Sequence, residues 1–289
     1  MNRFKNISRR TWVPVLMLAV ATWTVSGLRA QEARMPLPEK VVVLTFDDSV
    51  HSHYTVARPL LKKLGFSATF FITEGFDFKT NKQDYMTWAQ IRTLHDDGFE
   101  IGNHTRDHLS VTEQNLSQVR EQLEVINDRC REHGIPKPVS FAYPGNAFHV
   151  RALPILESMG IQFARRGGAP EYDYDSGGGV AFEPGRDHPL LIPTAGDARP
   201  TWTLEDFKKA LSRAKEGTVP VLQFHGVPDL AHPWVHTPPE RFAEYMQYLK
   251  VEGYQVLALR DLARFVDPEV KPADPEAPIQ ERIQAIRGE

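Results

Sequence analysis

The sequence predicts an α/β fold, a parallel sheet rolled into a distorted (β/α) barrel of seven or eight strands. Three observations carry that expectation. From about residue 40, short β-rich runs alternate with amphipathic helical stretches, the pattern of parallel strands joined by crossover helices. Seven or eight such runs can be distinguished. Acid or imidazole groups stand at the ends of several, and a barrel gathers the tips of its strands at one mouth.

The strands read along the chain are 41–46, 67–73, 99–103, 138–143, 161–165, 189–193, 219–225 and 254–258. Between them, helix starts are marked by a hydroxyl residue with Glu or Gln three positions on, so that each satisfies a free backbone amide. Thr87-x-x-Gln90, Ser110-x-x-Glu113 and Thr237-Pro-Pro-Glu240 fit, the last with proline placed to open a helix. After Ser110, Leu116, Val119, Leu123 and Ile126 share one helical face, and Gly134 ends the run. Residues 166–188 break the rhythm with Gly167-Gly168 and Gly177-Gly178-Gly179, and read as a long loop over the barrel mouth. The barrel is expected over 38–266. The tail 267–289, rich in proline and charge, is expected to be disordered.

Residues 1–30 read as a targeting segment. Arg3, Lys5, Arg9 and Arg10 precede an apolar run from Trp12 to Val25, followed by small residues at Ser26-Gly27. Ser8-Arg9-Arg10-Thr11 fits a twin-arginine signal as well as an ordinary secretory one. Removal of the segment takes five positive charges and no acid, moving the net charge from -3 to -8. Export to an envelope or extracellular space follows, with membrane contact only if the segment stays attached. The acidic balance and the lack of a basic stripe exclude nucleic-acid binding. One cysteine, Cys130, excludes an internal disulfide and a cysteine zinc cluster. Nothing in the sequence sets the oligomeric state.

The chemistry-bearing residues lie at strand tips. Asp47 and Asp48 follow Val41–Phe46; successive side chains in a strand face opposite ways, so both can share a site only where the strand has ended. His104 and His108 follow the strand 99–103. His225 follows Val219–Phe224 and suits a general acid. One carboxylate with two imidazoles leaves a position for water, the arrangement of a catalytic metal. Mixed nitrogen and oxygen donors favour zinc, with cobalt and nickel as alternatives, over calcium or magnesium.

Thr45-Phe46-Asp47-Asp48, His104-Thr105-x-x-His108 and Leu222-Gln223-Phe224-His225 resemble three ordered motifs of the polysaccharide deacetylase (NodB-like) family, class four of the carbohydrate esterases. Ser67-Ala68-Thr69-Phe70-Phe71 is similar to the family's second strand, and Phe141-Ala142-Tyr143-Pro144 stands in its third-motif slot. The resemblance spans about 40–265. It implies a metal-dependent hydrolase that removes acetyl groups from an acetylated glycan. Asp48, His104 and His108 would hold the ion, Asp47 would be the general base and His225 the general acid. A backbone amide near Gly145 would serve the oxyanion, with Tyr143 in support.

Two family features are missing. Ala142 stands where many members carry an arginine that steadies the base, so Arg165 or Arg166, at the tip of strand 161–165, is expected to supply that guanidinium. The fourth-motif aspartate is absent, leaving Asp173, Asp175, Asp187 or Asp197 to orient His225. Of the residues expected near the mouth, Trp234 suits stacking on a sugar ring, and His51, His53, His232 and His236 are further candidates. N-acetylated polymers are the first expectation for substrate and O-acetylated sugars the second. The alternatives are an amidohydrolase acting on a cyclic amide or imide, and a glycan-binding barrel without catalysis.

Overall fold

A computed structural model describes Met1 and residues 34–173 and 176–288. The expected targeting segment, and Tyr174 and Asp175 in the long loop, lie outside the described residues. Nine parallel strands form one sheet: β1 (Val41–Phe46), β2 (Thr69–Ile72), β3 (Glu100–Asn103), β4 (Ser140–Ala142), β5 (Phe163–Gly167), β6 (Ile192–Pro193), β7 (Gly196–Asp197), β8 (Val221–Phe224) and β9 (Gln255–Leu257). All eight expected strands are present, most of them shorter; the two-residue β7 was not foreseen. Neighbours run β6-β5-β4-β3-β2-β1-β8-β7, with β9 pairing the start of β1.

The two ends of that order are one stretch of chain. Ile192 and Pro193 pair with β5, and a few residues later Gly196 and Asp197 pair with β8. Thr194 N–H donates to Gly167 O (3.1 Å) and Ala195 N–H to Val221 O (2.7 Å). Residues 192–197 therefore close the sheet into a ring. Counting that broken strand once, the ring has seven members.

Strand alternation sorts each side chain. On β1, Val42, Leu44 and Phe46 face outward into one cluster, whereas Val41 and Val43 face the interior. The outward cluster is aromatic: Phe46 stacks on Phe70 and Phe224 with centroids 4.9 and 5.3 Å apart. Helices α1 (Arg58–Leu64), α2 (Trp88–Asp96) and α6 (Pro239–Val251) cover it, through Leu61, Ile91, Phe242 and Tyr245. Helix α3 (Leu116–Glu132) buries Val119, Leu123 and Ile126 with Cys130 and ends ahead of Gly134, as its periodicity predicts. Helices α4 (Leu153–Ser158) and α5 (Leu204–Leu211) complete the outer layer.

Several expectations are corrected. The Thr87 capping box forms, but Ser110 and Thr237 cap no helix: a short 3-10 turn at Glu113–Asn115 precedes α3, and α6 begins after Pro238. An unanticipated box, Thr203 with Asp206, opens α5. In the loop after β5, Phe182 is fully buried and bridges Val219, just before β8 begins, so burial pulls that part of the loop to the opposite end of the strands. The tail is not disordered, for it carries α7 (Ala277–Arg287). Ile279 is buried beside Leu190 and Leu191, and Arg282 pairs with Asp187 and Glu171, both buried. No helix among the described residues is long and apolar enough to cross a membrane.

Candidate metal centre and active site

Strand β1 brings Val41, Val43 and Thr45 to the interior in turn, so Asp47 is aimed at the barrel axis by parity alone. Asp48 would point outward in a continued strand. It has φ 74°, a left-handed conformation costly for any residue but glycine, and this swings its carboxylate back to the same mouth. The non-glycine residues at positive φ among those described are Asp48, Ser49, Phe76, Thr105, His108 and Asn146. Four of them line a single cleft of about 160 Å³. Backbone strain gathered in one place marks a site that the surrounding fold has to enforce.

Side chains from three strand tips enforce it. Ser49 Oγ donates to Thr73 O and accepts from Thr73 N–H, both at 2.9 Å, tying the ends of β1 and β2. Thr73 Oγ1 accepts from the amides of Gly75 and His108, both at 3.0 Å, which fixes the turn carrying His108. Gly75 permits the close passage of that turn, because a Cβ there would lie 2.8 Å from the Asp107 backbone. Asn103 accepts from Thr105 N–H at 3.0 Å and donates to Leu123 O at 2.9 Å, anchoring the same turn to α3.

The result is a cradle for a cation. Asp48 Oδ1 lies 3.4 Å from His104 Nε2 and 3.3 Å from His108 Nε2. One ligand atom from each residue falls within 4.8 Å of the others. Separations of 3.3–3.4 Å match the edge of a tetrahedron whose donors sit about 2 Å from a shared ion. His104 Nδ1–H donates to Ala142 O at 2.8 Å, leaving the Nε2 lone pair for the cradle. Asp48 Oδ1 is buried and accepts no hydrogen bond. Burial alone would raise the Asp48 carboxyl, but the nearby imidazoles of His104, His108 and His225 hold it far below the usual carboxylate range. Burial also lowers His108 to about 4, so its imidazole is neutral near pH 7 and free to serve as a ligand. These residues fit a divalent ion with nitrogen and oxygen donors.

Asp47 and His225 flank the cradle. Asp47 Oδ2 accepts from Arg165 Nη2 at 2.5 Å and from Gln223 Nε2 at 3.2 Å, while its Oδ1 is buried without a partner. His225 Nε2 is 3.9 Å from Asp48 Oδ2, and its Nδ1 is 3.7 Å from Asp197 Oδ1. Burial pushes the Asp197 carboxyl up, against the opposing charges of His225, Arg199 and Arg165. Arg199 Nη2 lies 2.7 Å from Asp197 Oδ2. Behind the acid, His53 Nε2–H donates to His225 O at 3.1 Å.

The site therefore assembles Asp47, Asp48, His104, His108 and His225, with Gly145 and Trp234 also lining the cleft. Of the two arginines, Arg165 reaches Asp47. Arg166 points outward, forming a bidentate pair with Glu171 at 2.5 and 2.7 Å, because both lie inside β5 rather than at its tip. Tyr143 is likewise outside the cleft: it follows inward-facing Ala142, is fully buried, and donates to Leu190 O at 2.9 Å. Of the candidate acids, Asp197 lies beside His225, whereas Asp187 is engaged by Arg282 and the Glu183 amide. His51 turns away to Gln83 O and Gln90. Gln223, Asn146 and Phe76 were not anticipated. Gln223 was legible as a polar residue at an inward position of an apolar strand; Asn146 and Phe76 reach the cleft through loop conformation alone.

Known proteins point the same way. The family model described as polysaccharide deacetylase matches residues 34–164. The peptidoglycan-N-acetylglucosamine deacetylase of Bacillus cereus is 27% identical over 130 residues, 44% of this chain and 57% of that protein. The peptidoglycan-N-acetylmuramic acid deacetylase PdaA of Bacillus subtilis is 33% identical over 91 residues, 31% of this chain and 32% of that one. The chain thus spans about half the length, or less, of these curated relatives. A solved family 4 acetyl xylan esterase from Clostridium thermocellum, in complex with a cobalt ion, is 25% identical with a TM-score of 0.53, over 81% of this chain and 97% of that one. The ordered motifs, the family model over residues 34–164 and the shared barrel support a NodB-like polysaccharide deacetylase of class four of the carbohydrate esterases.

Proposed function

We propose that the chain is a divalent-metal-dependent hydrolase that removes acetyl groups from a carbohydrate polymer. One observation carries the reading: two adjacent carboxylates face two different tasks. Asp48 is turned toward two imidazoles as a ligand, while Asp47 is held off by Arg165 with one oxygen free. Zinc is the expected ion, cobalt and nickel the alternatives. When bound, such an ion polarises the acetyl carbonyl and lets water ionise near neutral pH.

The protein's own groups then divide the proton transfers. Asp47 Oδ1 takes the proton from the attacking water. Arg165 and Gln223 fix the other oxygen, so the carboxylate keeps one orientation. A backbone amide at Gly145 would face the oxyanion that develops on the acetyl group. His225, aligned by Asp197, protonates the departing amine or alcohol, without which an amide would revert to reactants. Arg165 takes up the task of the missing third-motif arginine from the neighbouring strand. N-acetylated glycans of the cell envelope are the first expectation for substrate and O-acetylated sugars the second. The basic, apolar leader adds export.

Metal analysis of the purified protein, combined with acetate release from a panel of acetylated glycans and a small cyclic imide for comparison, tests the proposal. Asp47→Asn is expected to retain the ion and lose nearly all turnover, and His104→Ala to lose both. Turnover retained in Asp47→Asn would remove that residue from the base role, and preference for the imide would replace the glycan.

A further inference from the structure

Beside the cradle, three rings continue the cleft outward. Phe76 packs on the ring of His108 (4.7 Å between centroids) and on that of His232 (4.8 Å), and His232 meets Trp234 edge-on at 5.4 Å. All of these line the cleft. Phe76 is 47% exposed and Trp234 60%, so two large apolar rings that line the cleft are left facing water. His232 between them is held from behind. Asp229, almost fully buried, accepts from the His232 amide at 2.8 Å and lies 3.2 Å from His232 Nδ1. Burying a carboxylate is costly without a compensating partner. Its use here is to orient one imidazole; the Asp229 hydrogen bond raises His232 above its ordinary value, against burial. With Nδ1 turned to Asp229, Nε2 is the nitrogen that His232 presents to the cleft.

We propose that Phe76, His232 and Trp234 form a sugar-binding lip in which the Asp229-braced His232 determines specificity, hydrogen-bonding through Nε2 to the sugar next to the acetylated one. Trp234 would take the apolar face of that sugar and Phe76 would hold the imidazole in place. No lysine or arginine lines the cleft among the described residues, so His232 is the titratable group that lines it outside the metal cradle, Asp47 and His225. The consequence is recognition of a chain of sugars rather than of a lone acetyl group. This rests on the hydrolase reading above for what is cut, but not for what is bound.

Kinetics on N-acetylchitotetraose and on nitrophenyl acetate, which is too small to reach the lip, separate a lip from a scaffold. His232→Ala and Trp234→Ala are each expected to raise KM for the tetrasaccharide about tenfold, equivalent to roughly 1.4 kcal/mol. The loss in kcat/KM on the tetrasaccharide should exceed that on the ester about fivefold or more. His232→Gln, which keeps an N–H donor, should recover most of the KM. Calorimetric titration of the tetrasaccharide into Asp47→Asn protein, with and without His232→Ala, needs no turnover and should show the same weakening. Equal losses on both substrates, or equal tetrasaccharide affinity in the two titrations, overturn the lip. If the unsubstituted protein hydrolyses neither compound, the hydrolase reading fails, and the titration still decides the lip.

Discussion

Asp47 and Asp48 are consecutive in the chain, and it is the positive φ at Asp48 that lets both work at one mouth. The tip positions themselves were legible, because acids and imidazoles after apolar runs have few other reasons to recur at three strand ends. What holds Asp47 was only half legible. Ala142 and Arg165 are direct register partners on β4 and β5, both inward-facing, so the small side chain of one leaves space for the guanidinium of the other. Removing Arg165 leaves Asp47 buried beside Gln223 alone. Arg165→Ala is therefore expected to cost about 3–5 kcal/mol of stability in urea unfolding, the usual loss when one partner of a buried pair is deleted. Turnover should fall with it, and the double variant Ala142→Arg/Arg165→Ala should regain part of the lost kcat; no recovery would mean the two slots are not interchangeable. His53 gives a pH prediction. Burial lowers it from 6.5 to about 4, so as pH falls the unfolded chain binds a proton before the folded one does. Its contribution is complete above pH 6.5 and is lost as pH falls through that window, on the order of 3 kcal/mol in all. His53→Gln should flatten the acid side of the stability profile by that share, and an unchanged slope between about pH 7 and pH 5 would count against it.

At the scale of elements, alternation and periodicity were reliable where one face packs on the sheet, as α3 shows. They failed where composition was read in place of pattern. Proline and charge from residue 267 onward suggested disorder, yet Ile279 and Ile283 lie one helical turn apart and mark the buried stripe of α7. Capping signals misled at Ser110 and Thr237 because chain direction on entering α3 and α6 is set by a 3-10 turn and by proline, not by the hydroxyl. Helix α7 also carries charge into the interior. Arg282 reaches Glu171 and Asp187, and Glu171 in turn holds Arg166, whose neighbour Arg165 pairs with Asp47. Arg282→Ala is expected to destabilise the protein by roughly 3 kcal/mol, because two buried carboxylates lose a counter-charge. Urea midpoints with an unchanged slope are the measurement, and a shift under about 0.5 kcal/mol would show α7 to be dispensable.

For the molecule as a whole, the parallel order was foreseeable from the strand–helix rhythm, but the manner of closure was not. Two residues of β6 and two of β7 are too short to announce themselves by alternation, and their pairing depends on partners some twenty-five residues away on either side. Long-range register of this kind is written in tertiary contacts rather than in local sequence. The same segment divides the working groups: Arg165 and Asn146 stand on the β5 side, Gln223 and His225 on the β8 side.

That division has a thermal consequence. The stretch 192–198 is a zip fastener with few teeth, and it is the natural place for the ring to part on warming while the aromatic wall around Phe46 stays shut. Parting it would draw the guanidinium away from one carboxylate and the imidazole away from another, silencing the protein before it melts. Amide exchange should then be faster at Ala195 and Ala198 than along β1, and acetate release should fade at a lower temperature than the far-ultraviolet signal of the helices. Simultaneous loss of both signals would show the closure to be as firm as the rest of the ring.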